Sequence, residues 1–168
     1  MEQRHIVVMG VSGGGKTTLA TALADRLGYV FAEGDDFHSE ANRDKMRAGT
    51  PLNDDDRAPW LVTIRDWMTE QARAGTSTVV TCSALRRAYR DVLREAVGQT
   101  VFVHVAPPVE ETATRIGQRR DHYMPASLLE SQIQTLEELG EDEPGFAVRS
   151  AGSPDEVLTE VLSRLESS

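Results

Sequence analysis

The chain of 168 residues carries one cysteine, Cys82. No internal disulfide can form, and such a poverty of thiols fits a reducing compartment. Bases are also scarce. Lys and Arg total 18 against 27 Asp and Glu, giving a formal charge of −9, and only Lys16 and Lys45 are lysines. That balance argues against nucleic acid as the main partner, because a phosphate backbone demands a basic face. It leaves room for a local basic pocket that takes a small phosphate. Long apolar runs are missing too. No stretch approaches the roughly 20 residues that span a bilayer. The first apolar run, Ile6 to Met9, is too short for a signal segment. A cytoplasmic protein away from membranes is expected. Repeats, low-complexity tracts and linkers are lacking, and the length fits one domain with a sizeable core.

What the chain does contain is a regular alternation of element types. Strands are predicted at His5–Met9, Tyr29–Ala32, Ser77–Cys82, Thr100–Val105 and Phe146–Arg149. Helices are predicted at Lys16–Leu27, Ser39–Ala48, Ala58–Ala74, Arg86–Val97, Pro108–Arg119, Ser127–Leu136 and Pro154–Leu165. Pro51 to Asp56 reads as a turn-rich acidic loop, His104 as a structural residue within its strand, and His5 as the edge of the first strand. The alternation predicts an α/β fold, a parallel sheet with helices on both faces. Ligands of such sheets lie at the carboxyl ends of the strands.

The first strand runs into Gly10-Val-Ser-Gly-Gly-Gly-Lys16-Thr17, which satisfies G-x4-G-K-[ST]. Glycines let several backbone N–H groups point inward at phosphate oxygens, and the following helix adds its positive end. Gly10, Ser12, Gly13, Gly14, Gly15, Lys16, Thr17 and Thr18 form the expected nucleotide-binding set. Lys16 is placed to reach the β- and γ-phosphates, and the Thr17 hydroxyl to ligate Mg²⁺. The loop names a nucleotide, not a reaction. A guanine-reading Asn-Lys-x-Asp is absent, and the third strand ends Thr81-Cys82-Ser83 without an aspartate. The acid that supports a metal must therefore come from elsewhere.

Glu33-Gly34-Asp35-Asp36-Phe37-His38 follows the second strand and so falls beside the phosphate loop. A kinase acting on an alcohol needs a carboxylate that orients the hydroxyl and accepts its proton. Asp35 is the candidate base, and Glu33 the candidate to hold a Mg²⁺-bound water. Asp36 and His38 are candidates for substrate hydroxyls. The competing reading makes this an acidic turn that caps the next helix, and it suits Asp36 better than Asp35.

Together the residues resemble the gluconokinase family, relatives of shikimate kinase and the nucleoside monophosphate kinases. The resemblance is carried by the phosphate loop, Gly34-Asp35-x-x-His38, and Asn42-x-x-Lys45-Met46-x-x-Gly49-x-Pro51-Leu52-Asn53-Asp54-Asp55-Asp56-Arg57-x-Pro59-Trp60-Leu61. Cys82-Ser83-Ala84-Leu85-x-x-x-Tyr89-Arg90-Asp91 and Leu128-Leu129-x-Ser131-Gln132 continue it over nearly the whole chain. It implies a P-loop kinase fold with a mobile lid at about 119–126 and a substrate-binding helical region at about 36–60. The implied reaction is phosphoryl transfer from ATP, with Mg²⁺, to the 6-hydroxyl of D-gluconate, whose product feeds the pentose phosphate pathway. The resemblance also suggests a homodimer. It puts Asp35 where shikimate kinase has its hydroxyl-orienting aspartate, and Arg57 near an arginine that holds the substrate carboxylate. It brings Ser83, Tyr89 and Arg90 toward the sugar acid. Arg57 could equally start a helix at the surface or pair with Asp54 or Asp55, and Arg90 could lie on a solvated helix face. In the lid, Arg119 is assigned to the transferring phosphoryl group, Arg115 to adenine and His122 to the substrate; the competing reading is surface arginines ending a helix. Two departures mark this chain. Asp121-His122-Tyr123 stands where the family commonly has Gly-His-Phe, and Leu136-Glu137-Glu138-Leu139 lacks a proline common in the family. Other readings on the same scaffold are a kinase of another small acid or polyol, or a nucleotide-binding module without phosphotransfer.

Overall fold

The computed structural model describes residues 3–10, 16–50, 52–82, 86–105, 139–140, 143–148 and 154–167. Among these, five strands form one sheet in the order β2-β3-β1-β4-β5. They are β1 (Arg4–Met9), β2 (Val30–Glu33), β3 (Thr78–Thr81), β4 (Gln99–Val105) and β5 (Gly145–Val148). Every pairing is parallel. The helices are α1 (Lys16–Leu27), α2 (Glu40–Arg47), α3 (Asp54–Arg73), α4 (Arg87–Leu93) and α5 (Pro154–Ser167), with a 3₁₀ turn at Gly34–Phe37. The α/β fold predicted from the alternation, a parallel sheet with helices on both faces, is what these elements form. None of the described helices is long and apolar enough to cross a membrane.

The two-residue side-chain period of a strand sorts the core into two layers. Ile6 and Val8 point to one face, where they meet Leu19, Ala20, Leu23 and Ala24 of α1 and Val157, Val161 and Leu165 of α5. Val7 and Met9 point to the other, against Trp60, Leu61, Ile64 and Met68 of α3 and Tyr89 and Leu93 of α4. Ile64 and Met68 have no exposed surface. Their burial stabilises the second layer by roughly 1.5–3 kcal/mol each. β1 is thus covered on both faces and paired on both edges, as its uninterrupted apolar run requires.

Several boundaries differ from the sequence reading. α3 starts at Asp54, four residues before Ala58, inside the segment read as a loop. Asn53 accepts a hydrogen bond from Asp56 N at 2.8 Å, and Asp56 Oδ2 accepts one from Asn53 N at 3.0 Å. This reciprocal capping box satisfies two otherwise orphaned N–H groups and outweighs the turn character of the acidic run. α4 stops at Leu93 instead of Val97. Its chain tightens into three-residue turns, Glu95 N to Val92 O and Ala96 N to Leu93 O, ahead of Gly98 at φ +105°. His5 is the second residue of β1, next to the strand's start as read, and is wholly buried. Its Nε2–H donates to Val97 O at 2.7 Å, so Nδ1 accepts from the Thr78 hydroxyl at 2.7 Å. The predicted lid and the helices at 108–119 and 127–136 lie outside the described residues.

The strand order fixes where a ligand can sit. The chain leaves β1 toward β2 on one side and leaves β3 toward β4 on the other. The carboxyl ends of these two neighbours therefore open a crevice between diverging connections.

Candidate active site

Sheet register gathers the site. Val8 pairs with Thr81, and Glu33 pairs with Thr81 from the other side. Gly10, Glu33, the 3₁₀ turn and Cys82 consequently follow one row at the carboxyl ends of β1, β2 and β3. Gly10 has φ +143°, and a Cβ there would stand 2.6 Å from Val105 O, so both conformation and space demand glycine. Six residues on, Lys16 opens α1 and its Nζ donates to Gly10 O at 2.9 Å. Burial lowers the Lys16 pKa, while electrostatic interactions with Asp35, Cys82 and Glu33 oppose that shift. Thr17 and Thr18 are exposed on the first turn of α1. Ser12, Gly13, Gly14, Gly15, Ser83, Arg115, Arg119 and His122 lie outside the described residues.

The acidic turn is clamped by three hydrogen bonds with two side chains. Thr81 Oγ1 donates to Glu33 Oε2 at 2.7 Å and accepts from Gly34 N at 3.1 Å. On the opposite side of the same residue, the Trp60 indole N–H donates to Gly34 O at 2.7 Å. An added Cβ on Gly34 would lie 1.9 Å from Thr81 O, which is backbone and cannot swing away. Gly34→Ala is expected to cost roughly 1–3 kcal/mol by overpacking. It should also lower kcat, because the strand end that presents Asp35 must move. Urea unfolding and steady-state kinetics on the one variant check both effects.

Asp35 is half-buried, with Oδ1 3.9 Å from His38 Nε2. His38 is buried and stacks on Trp60, centroids 4.1 Å apart and planes at 14°. Burial drives its pKa down to about 4; Asp35 pulls it upward, and the Arg43 and Arg57 charges push it further down. His38 is therefore neutral at physiological pH. Asp36 is exposed and its carbonyl accepts from Arg43 Nη2 at 2.9 Å. The cap of α2 is Ser39, whose Oγ accepts from Asn42 N at 3.2 Å, so no capping role falls to Asp36.

Arg57, in the first turns of α3, donates from Nη1 to the Tyr89 hydroxyl at 3.1 Å and lies over that ring at 5.5 Å. Tyr89 thus orients a half-buried guanidinium near the site. Arg90 occupies a different environment from the solvated helix face considered above. It is fully buried, and its Nε and Nη2 donate to Glu143 at 2.6 and 3.0 Å. The bidentate pair ties α4 to the residues just before β5.

Three residues at the site had no role in the sequence reading: Thr81, Asn42 and Trp60. Asn42 and Trp60 stand in the segment that carries the resemblance, but only the fold shows what they touch. Among the described residues no group of three or more His, Cys, Asp or Glu is arranged around one point as a metal cage. A P-loop magnesium needs few protein ligands, since it keeps waters and binds phosphate oxygens. The Thr17 hydroxyl at the start of α1 and the Glu33 carboxylate fit that sparse donor set.

Residues 6–139 match the family model described as an AAA domain. The gluconokinase of Gluconobacter oxydans (strain 621H) is 51% identical over 166 residues, spanning 99% of this chain and 93% of that protein. Among solved structures, a gluconokinase from Sinorhizobium meliloti 1021 superposes with a TM-score of 0.86 at 43% identity, over 97% of this chain and 91% of that one. Shikimate kinase from Aquifex aeolicus shares the fold, with a TM-score of 0.61 at 16% identity over 97% of this chain and 96% of that one. Identity of this extent over nearly the full length settles the family: this chain is a P-loop kinase of the gluconokinase family.

Proposed function

We propose that this chain transfers the γ-phosphoryl group of ATP to the 6-hydroxyl of D-gluconate. The observation that carries the reading is the convergence of Lys16, Asp35 and Arg57 on the crevice at the ends of β1 and β3. Lys16 and the backbone N–H groups of residues 10–15 would hold the phosphates, with the positive end of α1 behind them. Thr17 would ligate Mg²⁺, and Glu33 would hold one of its waters. The metal supplies charge neutralisation between the β- and γ-phosphates. Asp35 orients the acceptor hydroxyl and takes its proton as the oxygen attacks phosphorus. Arg57, steadied by Tyr89, offers a planar fork to the carboxylate of the sugar acid. His38 contacts substrate hydroxyls as a neutral donor. Arg119 would neutralise charge on the transferring group, Arg115 would stack on adenine, and Ser83 and His122 would complete the acceptor side; Arg90, expected there from the resemblance, is wholly buried and paired with Glu143, so it serves the fold instead. The reading includes a soluble, cytoplasmic enzyme, with the homodimer that the resemblance suggests as its assembly.

ADP release over a panel of sugar acids, shikimate and nucleoside monophosphates tests the proposal. Gluconate should give the highest kcat/KM. No stimulation by gluconate would overturn it, and binding of ATP without any acceptor-dependent turnover would point to a regulatory module. Within the same assay, Arg57→Ala is expected to raise KM for gluconate with little change in KM for ATP. The reverse pattern would remove Arg57 from the acceptor side.

A further inference from the structure

The side-chain amide of Asn42 spends both of its N–H groups. Nδ2 donates to Asp56 O at 2.9 Å and lies 3.2 Å from His38 Nδ1. The carbonyl of Asp56 can only accept, so the amide nitrogen, not its oxygen, must face that point. The second amide proton is then directed at His38 Nδ1, which must present a lone pair. Asp56 itself is fixed. Its carboxylate closes the capping box with Asn53 and receives Lys45 Nζ at 2.9 Å on both oxygens. The Trp60 ring holds the imidazole plane. With Nδ1 accepting, the ring proton resides on Nε2, the nitrogen that faces Asp35 Oδ1 across 3.9 Å. That gap is too long for a direct hydrogen bond. An oxygen about 2.8 Å from each atom fits between them at an angle of about 90°.

We infer that Asn42 is a positioning residue that sets the tautomer of His38, so that Nε2–H donates to the same acceptor hydroxyl whose proton Asp35 receives. The inference rests on the reading of Asp35 as the base toward a substrate hydroxyl. One oxygen then accepts from His38 and donates to Asp35, which leaves a single orientation for its proton. A hydrogen bond from His38 also stabilises the negative charge that grows on that oxygen as the proton leaves. The opposite tautomer would turn a lone pair toward both the hydroxyl oxygen and the carboxylate. The charged groups acting on the ring are Asp35 from the 3₁₀ turn, Arg43 from α2 and Arg57 from α3. Both arginines disfavour the imidazolium, which keeps the neutral donor in place.

Long-range ¹H–¹⁵N spectra of the imidazoles, in full-length protein without substrate, read the tautomer directly. His38→Gln identifies the His38 signals among the four histidines. The wild type should show His38 neutral with the proton on Nε2 from pH 8 down to about pH 5. A proton on Nδ1 over that range would overturn the inference. Asn42→Asp replaces the donor by an acceptor, so Nδ1 should become protonated and the titration of His38 should move upward. kcat/KM for gluconate should fall roughly 10- to 100-fold and acquire a pH dependence, with KM for ATP unchanged. If Asn42→Asp does not fold, Asn42→Ala, which has no donor, should give mixed tautomers. A destabilised variant that keeps the Nε2–H pattern would reduce Asn42 to a structural bridge between α2 and α3. The spectra need no acceptor, so they stand apart from the identity of the substrate. Failure of gluconate turnover would leave them untouched.

Discussion

Asp35→Asn should retain ATP binding and lose roughly 10²-fold or more in kcat. The substitution keeps the side chain's size and one carbonyl acceptor but removes the group that can take a proton. The surrounding clamp does not depend on the Asp35 carboxylate: Gly34 is held by Thr81 and Trp60, and the His38 N–H donates to Asp35 O through the backbone. The variant should therefore fold as the wild type does. Its defect belongs in the transition state, with KM for ATP near the wild-type value. Single-turnover measurements with saturating ATP and gluconate separate the chemical step from product release. An unchanged rate of that step would remove Asp35 as the base.

Glu143→Ala should destabilise the fold by about 3–5 kcal/mol. The size of the effect comes from what remains behind. Arg90 and Glu143 side chains are 0% and 1% exposed, so truncation removes the carboxylate that faces a guanidinium out of reach of water. Burial pushes the Glu143 carboxyl up, but the Arg90 hydrogen bonds, the Gly140 N–H and the charges of Arg90 and Arg87 together hold it below its ordinary value. The sign follows from the depressed folded-state pKa. The pair's contribution is full above the unfolded-state value of 4.5 and is lost as the pH falls through the lower folded-state value. Urea unfolding at pH 7 and pH 4 measures both the loss and its pH dependence. The gap between wild type and Glu143→Ala should narrow at the lower pH. Pairing Glu143→Leu with Arg90→Met should recover much of the loss, because no charge is then left unpaired. A loss under about 1 kcal/mol in Glu143→Ala would show that Arg90 finds other partners.

The strand and helix that flank the phosphate loop were legible because the pattern is local. A glycine loop between a strand and a helix needs only neighbours in sequence, and α1 lies at Lys16–Leu27 in both the reading and the structure. The start of α3 was misread because three consecutive aspartates suggest a turn. The cap depends on one reciprocal pair, Asn53 with Asp56. Arg90 is the sharper case. Four arginines on a short helix suggest a solvated face, yet one of them is buried against an acid 53 positions away. No periodicity within α4 marks that partner.

The sequence by itself determined the G-x4-G-K-[ST] motif after β1, the alternation that makes a parallel sheet, and an acidic run directly after β2. These follow from backbone conformation and side-chain periodicity, which act over a few residues. Only the tertiary structure decided how that run is held. Thr81 reaches Gly34 and Glu33 from β3, Trp60 reaches Gly34 and His38 from α3, and Asn42 joins His38 to the first turn of α3. The physical reason is that hydrogen-bond direction and ring stacking depend on atoms brought close by sheet register and helix packing. Their partners are fixed only once the chain has folded.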